Sequence, residues 1–400
     1  MVRTIRYLCL ILLLLFVGSA GAGRRGDGMP PVRFREHLID RMPGVYQCSV
    51  ADINGDGKPD ILALSSSKSE IAWYENPTWK KHIITTTTRG NIDLAAYDLD
   101  GDGRMEIAIA SEFDLGHTKE GGRLQWFKPG QDPMAEWAGH DFAALPTAHR
   151  LRWVDWDGDG KKELVVVPIL GPGATPTENT APVSIMSYAF VKGEAQAHTV
   201  DRSLHLAHGM RVLDFDGDGR DDLLTASAEG VTWFKPVGKG ANRTWQKIPL
   251  ASGNPAAPPK RGCSEVDRGW LTGKRPFLAT IEPWHGNMVV VYTPPVGQNK
   301  LWTRHVIDDT LEDGHALACV DLDGDGQSEI VAGYRGGRHN LYGYRCLNAD
   351  GSRWERFVID PGDMGAAGMV AADINGDGRM DLVVCGTATA NVKWYESLGH

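Results

Sequence analysis

After its first 22 residues the chain has no long hydrophobic run, no stretch with a sustained helical period and no cluster of basic side chains. The first absence excludes a helical membrane span in the rest of the chain. The second excludes an α-helical or α/β core, and the third a nucleic-acid interface. Cysteine is scarce: Cys9 sits in the leading segment, and Cys48, Cys263, Cys319, Cys346 and Cys385 match neither a zinc ribbon nor a redox pair. Their odd number excludes complete pairing within a monomer. The leading segment has the form of a secretory signal, with basic MVRTIR, an apolar YLCLILLLLFVG too short for a comfortable span, and small Ala20 and Ala22. Residues 1–22 read as a signal peptide, 23–32 as a linker and 33–397 as the mature domain, secreted or periplasmic and without membrane attachment after cleavage.

What is abundant is repetition. Acidic loops such as DWDGDGKKE begin at Asp52, Asp98, Asp155, Asp214, Asp321 and Asp373. The one double-length gap contains EVDRGWLTGKRPFLATIEP, with Asp267 in the first loop position and the other acids lost. That makes seven units, each reading as a short apolar strand, the loop and three further strands, for example ELVVVPI, VTWFKP and WTRHVID. Seven units of four strands predict an all-β, seven-bladed propeller. The last unit stops after its third strand, VKWYESLGH, while RFREHLID near the start reads as a lone fourth strand, so the N-terminal strand is expected to close the last blade.

Loop positions 1, 3, 5 and 9 carry side-chain oxygens, and position 7 offers its carbonyl. The sets are Asp52, Asn54, Asp56, Lys58 and Asp60; Asp98, Asp100, Asp102, Arg104 and Glu106; Asp155, Asp157, Asp159, Lys161 and Glu163; Asp214, Asp216, Asp218, Arg220 and Asp222; Asp321, Asp323, Asp325, Gln327 and Glu329; Asp373, Asn375, Asp377, Arg379 and Asp381. Hard oxygen donors at alternate positions around a tight glycine turn suit up to six structural Ca²⁺. An EF-hand is excluded, because position 12 is never Glu and the flanks are strands. Loss of Arg3 and Arg6 with the signal deepens the formal charge of −9, which six such ions would bring close to neutral.

Loops joining the first two strands of a blade lie on one face of the disc, so a functional centre belongs on the other. Six residues before each loop start stand Tyr46, Ile92, His149, His208, Arg261, His315 and Ala367. Equivalent positions on a ring converge on its axis, so three histidines and an arginine in register predict a pocket. His117, His285 and His339, in the connections between second and third strands, share that face. His37, His82, His140, His198 and His305 fall in fourth strands and read as structural. Trp73, Trp126, Trp233 and Trp394 recur at one place in the third strand and read as blade packing. Trp284 lies outside that register and is the better candidate for sugar stacking.

The loops resemble the FG-GAP/VCBS repeat, whose propellers bind calcium in such loops. The stretches AHRLRWVDWDGDGKKELVVVPILGPGATPTENTAPV, EPWHGNMVVVYTPPVG, GGRLQWFKPG, WTRHVIDD and DGHALACVDLDGDGQSEIVAG resemble the propeller domain of fungal aldos-2-ulose dehydratase. That resemblance implies a hydro-lyase removing water from a 2-keto sugar such as 1,5-anhydro-D-fructose, without the later isomerisation step carried by the fungal cupin domains, which this chain lacks. In such a reaction His149 or His208 would be the base, His285 or His315 would protonate the leaving hydroxyl, and Arg150 or Arg261 would steady the enolate. Tyr46, His117, Trp284, Asn287 and His339 would contact the sugar. A catalytic divalent metal on the histidines is the other way to polarise the ketone. A polysaccharide lyase and a non-catalytic binding disc for carbohydrate or protein remain the alternatives.

Overall fold

The computed structural model describes residues 32–238, 243–295, 297 and 300–399. The expected signal peptide and nearly all of the linker lie outside the described residues. Among the described residues the chain forms seven four-stranded antiparallel sheets and one two-stranded hairpin, with no helix. The first strands of the blades are Val45–Ala51, Asp93–Tyr97, Ala148–Val154, Gly209–Leu213, Glu265–Leu271, Gly314–Val320 and Ala366–Ala372. Each touches the first strand of the next blade, and the last touches the first, which closes a ring around an axis.

The second strands show why these sequences form blades. Asp60–Ser65, Glu106–Ser111, Glu163–Pro168, Asp222–Ser227, Glu329–Tyr334 and Asp381–Gly386 are buried at every residue. A strand covered on both faces by neighbouring blades needs apolar side chains at both parities, as in ELVVVP. Fourth strands such as Ala138–Ala144 and Glu194–Asp201 lie at the rim and are largely exposed. There the histidines pair across the sheet with third-strand tryptophans: His37 stacks on Trp394 at 4.2 Å, His82 on Trp73 at 4.5 Å and His140 on Trp126 at 4.1 Å. These contacts are cross-strand packing.

The ring closes as expected. Phe34–Asp40 pairs antiparallel with Asn391–Ser397 and supplies the fourth strand of the last blade. The ammonium of Lys393, 1% exposed, lies 2.9 Å from carboxylates of Glu36, Asp360 and Asp363, tying the closing strand to the blade it completes.

The fifth blade corrects one reading. Its first two strands, Glu265–Leu271 and Arg275–Glu282, join through a tight turn at 272–274, with Gly273 and Lys274 at positive φ. Asp267 pairs with Ala279 in mid-strand and is not at a loop start. Counting back from Asp267 therefore overshoots, and Arg261 falls in the separate hairpin Asn254–Pro255 with Arg261–Gly262, where it is exposed.

Candidate functional site

The pocket begins with a backbone irregularity. The pairing of first and second strands shifts register between Val45 and Gln47, Ala148 and Arg150, Gly314 and Ala316, and Ala366 and Gly368. The skipped residues are Tyr46, His149, His315 and Ala367. A bulged residue leaves the ladder and its side chain is re-aimed, here to the axis. His208 immediately precedes its strand. A Cβ at the following Gly209 would lie 2.7 Å from the Ser264 carbonyl, so only glycine allows the fourth blade this close to the fifth.

Four imidazoles and a phenol meet there. The His208 ring centroid lies 4.4 Å from that of His149 and 5.0 Å from those of His285 and His315. The Tyr46 hydroxyl reaches Nε2 of His315 at 2.9 Å and Nε2 of His149 at 3.3 Å. Three rings are anchored alike, through Nδ1 on the main chain of the next blade around the ring. His149 reaches the His208 carbonyl at 3.3 Å, His208 the Ser264 carbonyl at 3.1 Å and His315 the Ala367 carbonyl at 2.5 Å. That anchor orients each Nε2 inward.

Two buried ions complete the cluster. Glu265 Oε1 lies 2.9 Å from His208 Nδ1 and 3.1 Å from Arg150 Nη2, and the other Arg150 nitrogen, Nη1, is 3.3 Å from His149 Nε2. Burial alone would raise the Glu265 carboxyl, but Arg150 and His208 outweigh it and hold the group at about 2. Burial, with Arg150 and neighbouring rings adding repulsion, holds His149 well below the usual imidazole range. His315 is likewise held low by burial and by Arg335. His208 is lowered by burial against an opposing pull from Glu265. The cluster is thus a set of neutral imidazoles around one carboxylate and its guanidinium partner.

Beneath it the axis is filled. Arg152 pairs with Asp93 at 2.7 Å and Arg211 approaches Asp267 at 3.5 Å, leaving a void of 20 Å³ beside Arg150 and His315. On the other side a cavity of 430 Å³ opens against Trp284, His285 and Asn287, walled by Pro176 and Thr177 from the third blade and by Asn254 and Lys260 from the extra hairpin.

Of the residues predicted for the site, Tyr46, His149, Arg150, His208, His285 and His315 come together. Trp284 stands beside them with its ring 4.4 Å from that of His285, and Asn287 lines the outer cavity while donating to the Asp309 carbonyl. His117 is exposed and bonded to Asp114, and His339 is half-buried and stands outside the cluster. Glu265 and Arg335 are the side chains in contact with the cluster that sequence reasoning missed. Neither belongs to a motif, and the degenerate fifth unit hid the register that would have placed Glu265 beside Arg261's expected position.

The acidic loops close on themselves. In every one the first Asp accepts the amide hydrogens of both loop glycines, as Asp155 does from Gly158 at 2.8 Å and Gly160 at 3.0 Å. At position 9, Asp60, Glu106, Asp222, Glu329 and Asp381 clamp the amide of position 2. Three carboxylate oxygens still converge within 4.8 Å in the loops of Asp98, Asp155, Asp214 and Asp321. Basic side chains lean into three of these: Lys128 against Asp100 and Asp102, Lys235 against Asp216 and Asp218, and Arg243 against Asp157. A strand of six residues separates loop from pocket by roughly 20 Å, so the two sites occupy opposite faces.

Comparison with known proteins identifies related propellers. Residues 121–295 match the aldos-2-ulose dehydratase β-propeller domain, and residues 52–109 and 321–384 match FG-GAP-like repeats. The chain is a seven-bladed FG-GAP-repeat propeller resembling the aldos-2-ulose dehydratase propeller domain. Aldos-2-ulose dehydratase of Phanerodontia chrysosporium is 26% identical over 324 residues, covering 70% of this chain and 33% of that protein. This propeller therefore spans about a third of that relative's length. A chain in the crystal structure of the mitotic checkpoint complex superposes with a TM-score of 0.55 over 98% of this chain and 100% of its own, at 9% identity, a likeness of fold alone.

Proposed function

We propose that this propeller is a carbon–oxygen lyase that removes water from a 2-keto sugar such as 1,5-anhydro-D-fructose. The observation that carries the reading is the buried imidazole cluster on the axis, bonded to Glu265 and Arg150 and lying largely within the segment similar to the dehydratase propeller. A C–H beside a ketone is acidic enough for a positioned imidazole. His208 is the base: its Nδ1–H faces Glu265, which steadies the imidazolium as a buried carboxylate does beside a catalytic histidine. Arg150 and the Tyr46 hydroxyl are the donors available to the developing enolate oxygen. A second imidazole protonates the β-hydroxyl, which leaves as water while the enolate becomes an enone. Trp284 and the 430 Å³ cavity receive the sugar.

His208, His285 and His315 place ring nitrogens within 4.8 Å of one another, a nitrogen donor set that fits a zinc-like divalent ion. Bound there, such an ion would polarise the ketone. On the opposite face the loops with three convergent carboxylates fit Ca²⁺ in a structural role, and the leader implies export. The test is ultraviolet absorbance of a conjugated enone on mixing purified protein with 1,5-anhydro-D-fructose, with His208→Ala alongside. Enone growth with wild type alone supports the dehydratase. Silence from both folded proteins refutes that substrate and favours a lyase on another sugar or a binding disc.

A further inference from the structure

The face that carries the histidines is not alike in all seven blades. It holds the connections between second and third strands and the connections from one blade to the next. Of the first kind the longest is 169–184 in the third blade, and the shortest is 228–229 in the fourth. Of the second kind the longest is 252–264, between the fourth and fifth blades, and it contains the extra hairpin. Both long segments wall the 430 Å³ cavity, one with Pro176 and Thr177 and the other with Asn254 and Lys260. Among the described residues the fourth blade, between them, adds no wall residue.

Both segments are fixed to the blades beneath. The amide of Gly173 donates to the Thr118 hydroxyl of the second blade at 2.8 Å, and that of Ala174 to the Gly171 carbonyl at 3.1 Å. Ile169, Leu170 and Ala174 share one apolar cluster with Leu206 and Trp284, which ties this loop to the segment of the fifth blade that carries the tryptophan. At the foot of the hairpin Gly262 has φ 81°, and a Cβ there would lie 2.2 Å from the Ser227 carbonyl. Only glycine lets the hairpin sit this close to the fourth blade. The space between the two walls is therefore preformed.

That space exceeds what one sugar ring fills. Of the four imidazoles only His285 lines it, while His149, His208 and His315 are buried. At about 30 Å³ per water, 430 Å³ would hold roughly fourteen waters, whereas a hexose has about a dozen heavy atoms that covalent bonds draw closer together. A ring at His285 leaves the outer part open. The wall there suits another ring. Pro176 and Trp284 offer apolar surface for its C–H groups, and Thr177, Asn254, Lys260 and Asn287 bring donors and acceptors for its hydroxyls.

We propose that the outer cavity is a subsite for a second sugar ring, and that the substrate is a 2-keto sugar carried at the end of a disaccharide or longer glycan. That the reacting ring is a keto sugar rests on the elimination reading above; the subsite does not. The attached ring lies between the two insertions, so binding energy from the part that does not react positions the part that does.

The experiment uses the full chain in calcium with ¹⁵N-labelled tryptophan, and follows the Trp284 indole signal, assigned with Trp284→Phe. Glucose, maltose and cellobiose are the probes, none of which can undergo the elimination. The expected result is that a disaccharide shifts the signal at a concentration at least about tenfold below that of glucose. Thr177→Trp, at an exposed loop position, fills the outer cavity and should abolish that advantage, and Lys260→Ala, also exposed, should reduce it. Equal responses to glucose and both disaccharides, no response, or an advantage that survives Thr177→Trp overturns the proposal. Turnover is read separately with 1,5-anhydro-D-fructose and its derivative glucosylated on the primary hydroxyl. The glucosylated sugar should have a kcat/KM at least about tenfold higher, and Thr177→Trp should remove the difference. Enone from both sugars at equal kcat/KM refutes the subsite and leaves the elimination standing. A disaccharide advantage in binding with no enone from either sugar refutes the elimination and leaves the subsite standing.

Discussion

Replacing Glu265 by glutamine keeps the shape of the side chain and removes the charge shared by Arg150 and His208. In the folded chain this carboxyl is held at about 2 against an ordinary 4.5. At about 1.4 kcal/mol for each tenfold change in proton affinity, the ionised form contributes roughly 3 kcal/mol to stability. The value fits the ~3–5 kcal/mol range for breaking a buried pair and leaving one ion uncompensated. Because the folded value is the lower one, the stabilisation is complete above about pH 4.5 and is lost as the pH falls toward about 2. At neutral pH the glutamine variant should melt roughly 6 °C below wild type, taking about 2 °C per kcal/mol for a long chain. By pH 3.5 roughly 1.4 kcal/mol of that gap should have gone, because the unfolded carboxyl of the wild type is then mostly protonated. The assay is melting followed by tryptophan fluorescence at constant calcium, both proteins side by side from pH 7 to 3.5. Equal melting temperatures at pH 7, or a gap that stays constant down to pH 3.5, would refute the assignment of Glu265 as the charged partner of the cluster.

Other outcomes follow from the same contacts. His208→Ala should lower kcat at least 100-fold while leaving the melting temperature within a few degrees; a change confined to KM would move the base elsewhere. Trp284→Ala should raise KM several-fold with little change in kcat, since stacking on the sugar is the same before and during reaction; steady-state kinetics decide. Lys393→Met leaves Asp360 buried without its ammonium and should cost ~3 kcal/mol in denaturant unfolding, weakening the closure between the N-terminal strand and the last blade. Chelation by EGTA should lower the melting temperature, and added Ca²⁺, unlike Na⁺, should restore it; no change would show that the carboxylate–amide bonds hold the loops without an ion.

Much of this propeller was legible because its signals are local and repeat. The loop period counts the blades, the second strands with apolar residues at both parities announce burial on both faces, and the orphan fourth strand at Phe34–Asp40 announces how the ring closes. The register of His149, His208 and His315 was legible for the same reason, since equal positions in equal units must face one axis. His37, His82 and His140 could be set aside because fourth strands lie at the outer rim, and there they stack on third-strand tryptophans. The inference failed where the repeat itself fails. In the fifth blade a tight turn replaces the loop, the counting frame slips, and Arg261 was named where Ser264 stands, one residue before Glu265.

The sequence by itself determined the architecture, the acidic face and the three histidines at one register, because blade repeats are specified by short-range patterns that any one unit displays. Only the tertiary structure decided which groups meet. The bulges that turn Tyr46, His149 and His315 inward, the carboxylate that Glu265 gives to His208 and Arg150, and the reach of Arg335 from the sixth blade to His285 in the fifth all join residues from different blades. The physical reason is that hydrogen-bond direction and pair electrostatics depend on distances of about 3 Å between side chains far apart in sequence, and no spacing along the chain encodes them.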